Sequence, residues 1–362
     1  TDVMPVNSVG IATARDRLSI RFSDADAWRT VVEFGESSAE VARERFGLGE
    51  DARDWKVHLA QDDLRRSGPT TANLQRILYR PFDLRSTYFT GVSRGFHCMP
   101  RPAVMRHFVG HPNIGLVTSR MTKGEDFAHA QVTTHITEVI CMSPKTSNNG
   151  FVFPLWLYPS DQPVDLLDEP ATERRPNLSD AFVAALQAAQ GRAVSPEDTL
   201  AYLYAVLYTP GYRARYADFL RRDFPRVPLT SNPKLFARLV ELGHELIGLH
   251  TLQTVPPRIT GYPIAGTGEV VKVRFGIEAG AEAGKVWIND AQYFDAVPQA
   301  VWDMHIGGYR VAEKWLKDRR GRLLTYDDIT HYQNVVAALA RTLAIQTELD
   351  DAVDAAGGWP LQ

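Results

Sequence analysis

The order of hydrophobic patterns predicts an α+β fold: a mixed or antiparallel sheet unit decorated by helices, followed by a mainly helical unit. Three observations carry this. Up to about residue 160, strand-length apolar runs alternate with helical segments without forming repeated strand–helix–strand units. The stretch SDQPVDLLDEPATERRPNLS is polar, acidic and proline-rich, which marks 161–179 as a linker. Beyond it the 3.6-residue period dominates. The expected organisation is a β-rich reading unit at 1–160, the linker at 161–179, and a helical bracing unit at 180–362 with a β-ribbon near 269–289.

Each element has a local reason. RLSIRFS (17–23) alternates Leu18, Ile20 and Phe22 against Arg17, Ser19 and Arg21, a half-buried strand pattern. Ser23 then caps a helix, with Asp26 three residues on and Trp28, Val31 and Val32 as its apolar stripe. A second helix covers Ala39–Phe46 and stops at Gly47; a third covers Asp54–Arg66. Strand patterns follow in LQRILY, LRSTYFT, NIGLVTSR, HAQVTTHI, EVICMS and GFVFPLWLYP, interrupted by a short helix in AVMRHFVG. In the second half, SPEDTLAYLYAVLY opens with a Ser cap, Pro in the first turn and two acids, all suited to a helix N-terminus. Further helices are predicted at 212–222, 233–250, 309–319 and 326–353, and EVVKVRF pairs with GKVWIN as the ribbon.

Composition excludes several classes. The 362 residues are 44% hydrophobic and 23% charged, ordinary for a soluble protein. No apolar run approaches the roughly 18 residues of a membrane span, so the expected location is the cytoplasm. The opening TDVMPVNSVG has no basic-then-apolar leader and no initiator Met, which suggests a piece of something longer. Cys98 and Cys141 are too few for a zinc site; two reduced thiols or one disulfide both fit. HELIGLH (244–250) misses the HExxH metal motif, because Gly248 holds the i+4 position and His250 falls about 240° around the helix. AGTGE lacks nucleotide-loop spacing, GGY at 307–309 reads as a break between helices, and no GxSxG or Asn-Pro-Pro-Tyr element is present. No catalytic residue and no metal site are expected.

Charge is unevenly spread. The net charge is −3, yet Leu64–Lys123 holds ten Lys or Arg against Asp83 alone, net +9, leaving the remaining chain at −12. Arginines there alternate with Tyr79, Phe82, Tyr88, Phe89, Phe96 and Phe108. Guanidinium forks suit phosphate and the guanine edge, so Arg80, Arg94, Arg101, Arg106 and Arg120 are candidate nucleic-acid contacts. Two polar loops add Thr122, Lys123, Lys145, Thr146, Asn148 and Asn149. An ordinary solvated surface fits the same residues. In YRPFDLR (79–85), extended backbone puts Asp83 and Arg85 on one face as a structural pair and leaves Arg80 as the arginine available to a ligand. A second cluster, Lys314, Lys317, Arg319, Arg320 and Arg322, serves either as cations at a helix C-terminus or as phosphate contacts.

Several segments together, among them YRPFDLRSTYF, FVFPLWLYP, LFARLVELGHELIGLH and VWDMHIGGYRVAEKWLKDRRGRLLTYDDITHYQNVV, resemble the C-terminal region of type ISP restriction–modification enzymes, in order along nearly the whole chain. The resemblance implies target recognition on double-stranded DNA, presenting an adenine to an N6-methyltransferase domain outside this chain. It also implies that S-adenosylmethionine, ATP and Mg belong to upstream methyltransferase, helicase-like and nuclease domains, with no cofactor here. A self-contained methyltransferase or hydrolase, or a protein-docking module, are the alternatives.

Overall fold

The computed structural model describes residues 2–159 and 173–361. It is α+β, and the chain divides into two compact units: residues 1–118, 133–141 and 149–179 form one, and residues 119–132, 142–148 and 180–362 the other. The linker expected at 161–179 lies outside the described residues up to 172; within its remainder, Arg175–Pro176 is a short strand pairing antiparallel with Trp156–Leu157.

In the first unit, three helices, Asp24–Glu36, Ala39–Phe46 and Val57–Ser67, bury their apolar stripes in one core. Ser23 caps the first by accepting from the Asp26 amide at 3.1 Å, and Gly47 closes the second at φ +60°, a conformation glycine adopts without strain. Val31, Phe34, Trp55, Leu64 and Phe96 fill the core. The Leu74–Arg80 strand pairs antiparallel with Asp83–Tyr88 and parallel with Ile136–Thr137. Its hairpin turn is Pro81-Phe82, with Phe82 at φ +60°, the geometry of a type II turn. Ser8–Val9 pairs antiparallel with the Gly150–Pro154 strand.

Two expected strands are absent. Arg17–Ser23 begins as a helical turn, Asp16–Ser19, and its strand-like pairing is a single bridge, where Arg21 exchanges both backbone hydrogen bonds with Ser86. Leu18, Ser19 and Ile20 are all buried and Phe22 is half-buried, so the inward–outward alternation expected of a half-buried strand is not realised. Glu138–Ser143 turns immediately, since the Cys141 amide donates back to the Glu138 carbonyl. Cys98 and Cys141 are both buried free thiols, which removes the disulfide alternative.

The second unit is built on the Pro196–Tyr208 and Pro233–His250 helices and the 30-residue Tyr326–Ala355 helix. Every residue from Thr199 to Tyr208 is buried. A Cβ on Gly243 would lie 2.0 Å from the Ala201 carbonyl oxygen, so glycine is what permits this helix contact. Arg341 forks onto Glu245 at 2.6 Å and reaches Glu348 at 2.5 Å. His250, half of the imperfect HExxH, lies between the Tyr204 hydroxyl at 2.5 Å and the Thr342 hydroxyl at 2.9 Å. The predicted ribbon is present in part: EVVKVRF is strand only from Arg274, and Arg274–Gly276 joins Ala283–Trp287 and Tyr293–Pro298 in a three-stranded antiparallel sheet. Gly307 and Gly308 do not simply break a helix: they turn a small hairpin, His305–Ile306 with Tyr309–Arg310, with Gly307 at φ +61°. Among the described residues no helix is long and apolar enough to cross a membrane.

Gly243→Ala should destabilise the chain by about 1–3 kcal/mol or more, because backbone has to move to admit the methyl group. Gly248→Ala, which meets the Thr254 side chain at 2.8 Å, should cost less; comparison of urea midpoints checks the order. Burial lowers His97, His107 and His129 to about 4 and His250 to about 3. Each is neutral when folded and binds its proton more readily when unfolded. Their stabilisation is therefore complete above the unfolded value of about 6.5 and declines as pH falls from there to the folded values, by up to about 1.4 kcal/mol per pH unit for each of the fully buried His97 and His250. Unfolding free energies measured from pH 7 to pH 4 should show this decline, and a flat profile would contradict it.

Candidate nucleic-acid interface

The net +9 of Leu64–Lys123 is a property of the linear sequence more than of a surface. Arg80 is 5% exposed and its Nη1 lies 2.6 Å from Glu138 Oε2, with the guanidinium 3.8 Å from the Tyr79 ring centroid. It is not the arginine available to a ligand: the parallel strand partner brings Glu138, 58 residues away, against it. Arg85 pairs with Asp83 at 2.7 Å and stacks on Phe22 and Tyr79, so both arginines of YRPFDLR are interior. Arg65 and Arg66 lie near Asp62, and half-buried Arg106 donates to the Pro159 carbonyl at 3.0 Å. Arg94 remains 66% exposed, 3.7 Å from Asp54, and Arg101 is half-buried.

In the second unit, segments 119–126 and 142–148 form a double loop around one carboxylate. Glu125 Oε2 accepts from Asn148 Nδ2 at 2.7 Å, Ser143 Oγ at 2.9 Å and His129 Nε2 at 3.0 Å, and Lys145 Nζ is 3.6 Å from Oε1. Burial alone would raise this carboxyl; the hydrogen bonds from Asn148 and Ser143 outweigh it and hold Glu125 below the usual range. The Asn148 side chain also accepts from the Lys123 amide at 3.0 Å, and Lys145 Nζ donates to the Gly124 carbonyl at 2.7 Å. The Gly307-Gly308 turn closes over this centre: a Cβ on Gly308 would fall 2.5 Å from Glu125 Oε1, and one on Gly307 1.8 Å from the Met142 carbonyl oxygen.

This arrangement sorts the candidate residues. Arg120, Lys123, Lys145 and Thr146 are exposed, with Arg120 3.1 Å from Asp223. Thr122 and Asn148 are wholly buried and correct the expectation that they read bases: Thr122 donates to the Leu220 carbonyl, and Asn148 is spent on the loops themselves. Asn149 is half-buried. Sequence reasoning passed over Glu125, His129 and Ser143, although the Glu125–His129 i,i+4 spacing beside two basic loops was visible.

Residues 2–348 match the family described as Type ISP C-terminal specificity domain. The chain belongs to that family. Similar solved structures include the ATP-dependent Type ISP restriction-modification enzyme LlaBIII bound to DNA (TM-score 0.70, 16% identity, covering 96% of this chain and 23% of that one). A nuclease-deletion mutant of the Type ISP enzyme LlaGI in complex with a DNA substrate mimic gives TM-score 0.67 at 17% identity, covering 96% and 33%. The DrdV–DNA complex gives 0.70 at 21%, covering 97% and 36%. The chain thus spans about a quarter to a third of the proteins it resembles, and at these identities the likeness is one of fold. Comparison with curated proteins gives no match.

In this specificity domain the second basic cluster is largely engaged internally. Lys314 pairs with Asp318 at 2.5 Å and Lys317 with Glu313 at 2.8 Å. Arg319 is 5% exposed, stacked 3.4 Å from the Trp315 ring centroid and 3.6 Å from Asp328, which removes it from the phosphate candidates. Arg320 is exposed and Arg322 half-buried. Among the described residues no group of His, Cys, Asp and Glu could hold a metal.

Burial raises the Glu138 carboxyl to about 7 even with Arg80 beside it, so Arg80→Ala should leave it protonated in the interior and destabilise the chain by about 1–3 kcal/mol, the cost of a buried polar group without its partner. Denaturant titration checks this, and a loss below about 1 kcal/mol, the range of a surface pair, would contradict it.

Proposed function

We propose that this chain recognises a double-stranded DNA target as the specificity domain of a restriction–modification polypeptide. On this reading it presents the site to an adenine-N6 methyltransferase domain located upstream, and S-adenosylmethionine, ATP and Mg serve those upstream domains. The setting is the cytoplasm, where such an enzyme meets DNA. The chain supplies binding and no bond-breaking step of its own. The observation that carries the reading is the Glu125-centred double loop within a domain of this family. It offers exposed Lys123, Lys145, Thr146 and Ser147 on a backbone tied by hydrogen bonds, the preorganisation that base reading requires. That the solved relatives are DNA complexes supports the same reading.

Lysines contact phosphate as point charges, while hydroxyl groups reach base edges or sugars. Lys123→Ala and Lys145→Ala should each flatten the dependence of log K on log salt by about 0.9 where a phosphate contact is lost, weakening all sequences alike. Thr146→Val should relax preference at one base pair by about 1–3 kcal/mol if its hydroxyl reads a base. Anisotropy titrations against a library of duplexes at several salt concentrations distinguish these outcomes. Binding by the parent chain that ignores salt would overturn the reading.

A further inference from the structure

The first unit contains a cavity of about 500 Å³ whose lining includes Ser8, Asp54, Ser93, Arg94, Met99 and Arg101. Arg101 is poorly served there. Its Nη2 faces the Met99 sulfur at 3.3 Å, a weak acceptor. A guanidinium whose side-chain partner is a thioether keeps hydrogen-bonding capacity for an anion.

The backbone adds an independent observation. Arg94 and Arg101 both adopt left-handed conformations, at φ +59° and +55°, which glycine would take without strain. Such strain persists only where surrounding structure imposes it, and it concentrates at binding sites. The imposing contacts are present. Asp63, itself 5% exposed, accepts from Thr90 Oγ1 at 2.7 Å and from the Phe96 amide at 2.7 Å. A Cβ on Gly95 would collide with that carboxylate at 2.2 Å, so the loop closes only with glycine there. The Arg94 amide donates to the Cys98 carbonyl at 2.9 Å, and Met99 exchanges two 3.0 Å backbone hydrogen bonds with Ala12. The backbone that carries both arginines is thereby fixed where they line a concave site. Asp54, 3.7 Å from Arg94, offsets one of them and leaves one positive charge in excess among the lining residues.

We propose that this cavity is a socket for one backbone phosphodiester of DNA, gripped by the Arg101 guanidinium fork with Arg94 as the second cation. A phosphodiester carries one negative charge, matching the excess. It offers two unesterified oxygens to the fork, and the Met99 and Pro102 walls suit the flanking sugars. The proposal rests on the DNA-reading function above and adds a register-setting contact in the other compact unit.

The test uses the full chain, a fluorescein-labelled duplex of mixed sequence, and a series of KCl concentrations. Arg101→Gly should reduce the salt slope by about 0.9, the loss of one phosphate contact. It should melt no lower than the parent, since glycine relieves the left-handed strain. Arg101→Lys should keep more of the slope than Arg101→Gly, because it retains the charge without the fork. An unchanged slope in Arg101→Gly, or a clearly lowered melting temperature, overturns the socket and makes Arg101 structural. If Lys123→Ala flattens the slope while Arg101→Gly does not, the socket falls and DNA reading stands. If the parent shows no salt-dependent binding, both fall. A parallel calorimetric titration with inorganic phosphate separates the sources: phosphate binding lost in Arg101→Gly with an unchanged duplex slope assigns the site to a free anion and overturns the proposal.

Discussion

The buried Arg80–Glu138 ion pair is the constraint on which the first unit is organised. Two charges withdrawn from water are tolerated only with close geometry and further partners. Here Glu138 Oε2 also accepts from the Ile140 amide at 2.9 Å, while the Arg80 guanidinium lies on the Tyr79 ring. The pair ties the Leu74–Arg80 hairpin to the segment that follows Ile136–Thr137, and that segment in turn seats the N-terminal strand. Gly10 approaches so closely that a Cβ would lie 2.6 Å from the Glu138 carbonyl carbon, and the Val139 amide donates to the Ile11 carbonyl at 2.9 Å. The Asp83–Arg85 pair closes the other side of the same hairpin. A sheet edge assembled by buried charges has one register, because a slip would strand each of them.

The second unit applies similar chemistry near its surface. Glu125 gathers three hydrogen bonds and a lysine from two loops and is covered by the Gly307-Gly308 turn. The HIGGY segment therefore matters less as a helix break than as a close-packed lid on a carboxylate. Placing the candidate reading side chains around a satisfied carboxylate reduces the ordering cost of binding, since the loop backbone already has its partners.

Much of the architecture was legible in the sequence. The Ser23 cap, the Gly47 stop, the Ser195-Pro196 helix start and the long C-terminal helix announced themselves through local capping chemistry and the 3.6-residue period. The misread segments failed because local pattern does not encode tertiary packing. Arg17–Ser23 and Glu138–Ser143 bury consecutive residues, Leu18 to Ile20 and Cys141 to Ser143, in turns, and the helix expected at 212–222 is two short helices, Pro210–Arg215 and Ala217–Leu220.

The sequence by itself determined the α+β class, the helices that open on a side-chain cap at Ser23, Ser38, Ser195, Asn232 and Thr325, the family resemblance and the loops richest in hydroxyl and cationic side chains. Only the tertiary structure decided which charges face solvent. Arg80 and Arg319 look like surface cations until residues far away in the chain, or aromatic rings, enclose them. Arg94 and Arg101 look no different in sequence, yet they line a cavity in strained backbone conformations. Charge counts add along the chain, but the field a ligand meets depends on which charges are paired and desolvated, and those pairings are made by contacts that no local stretch encodes.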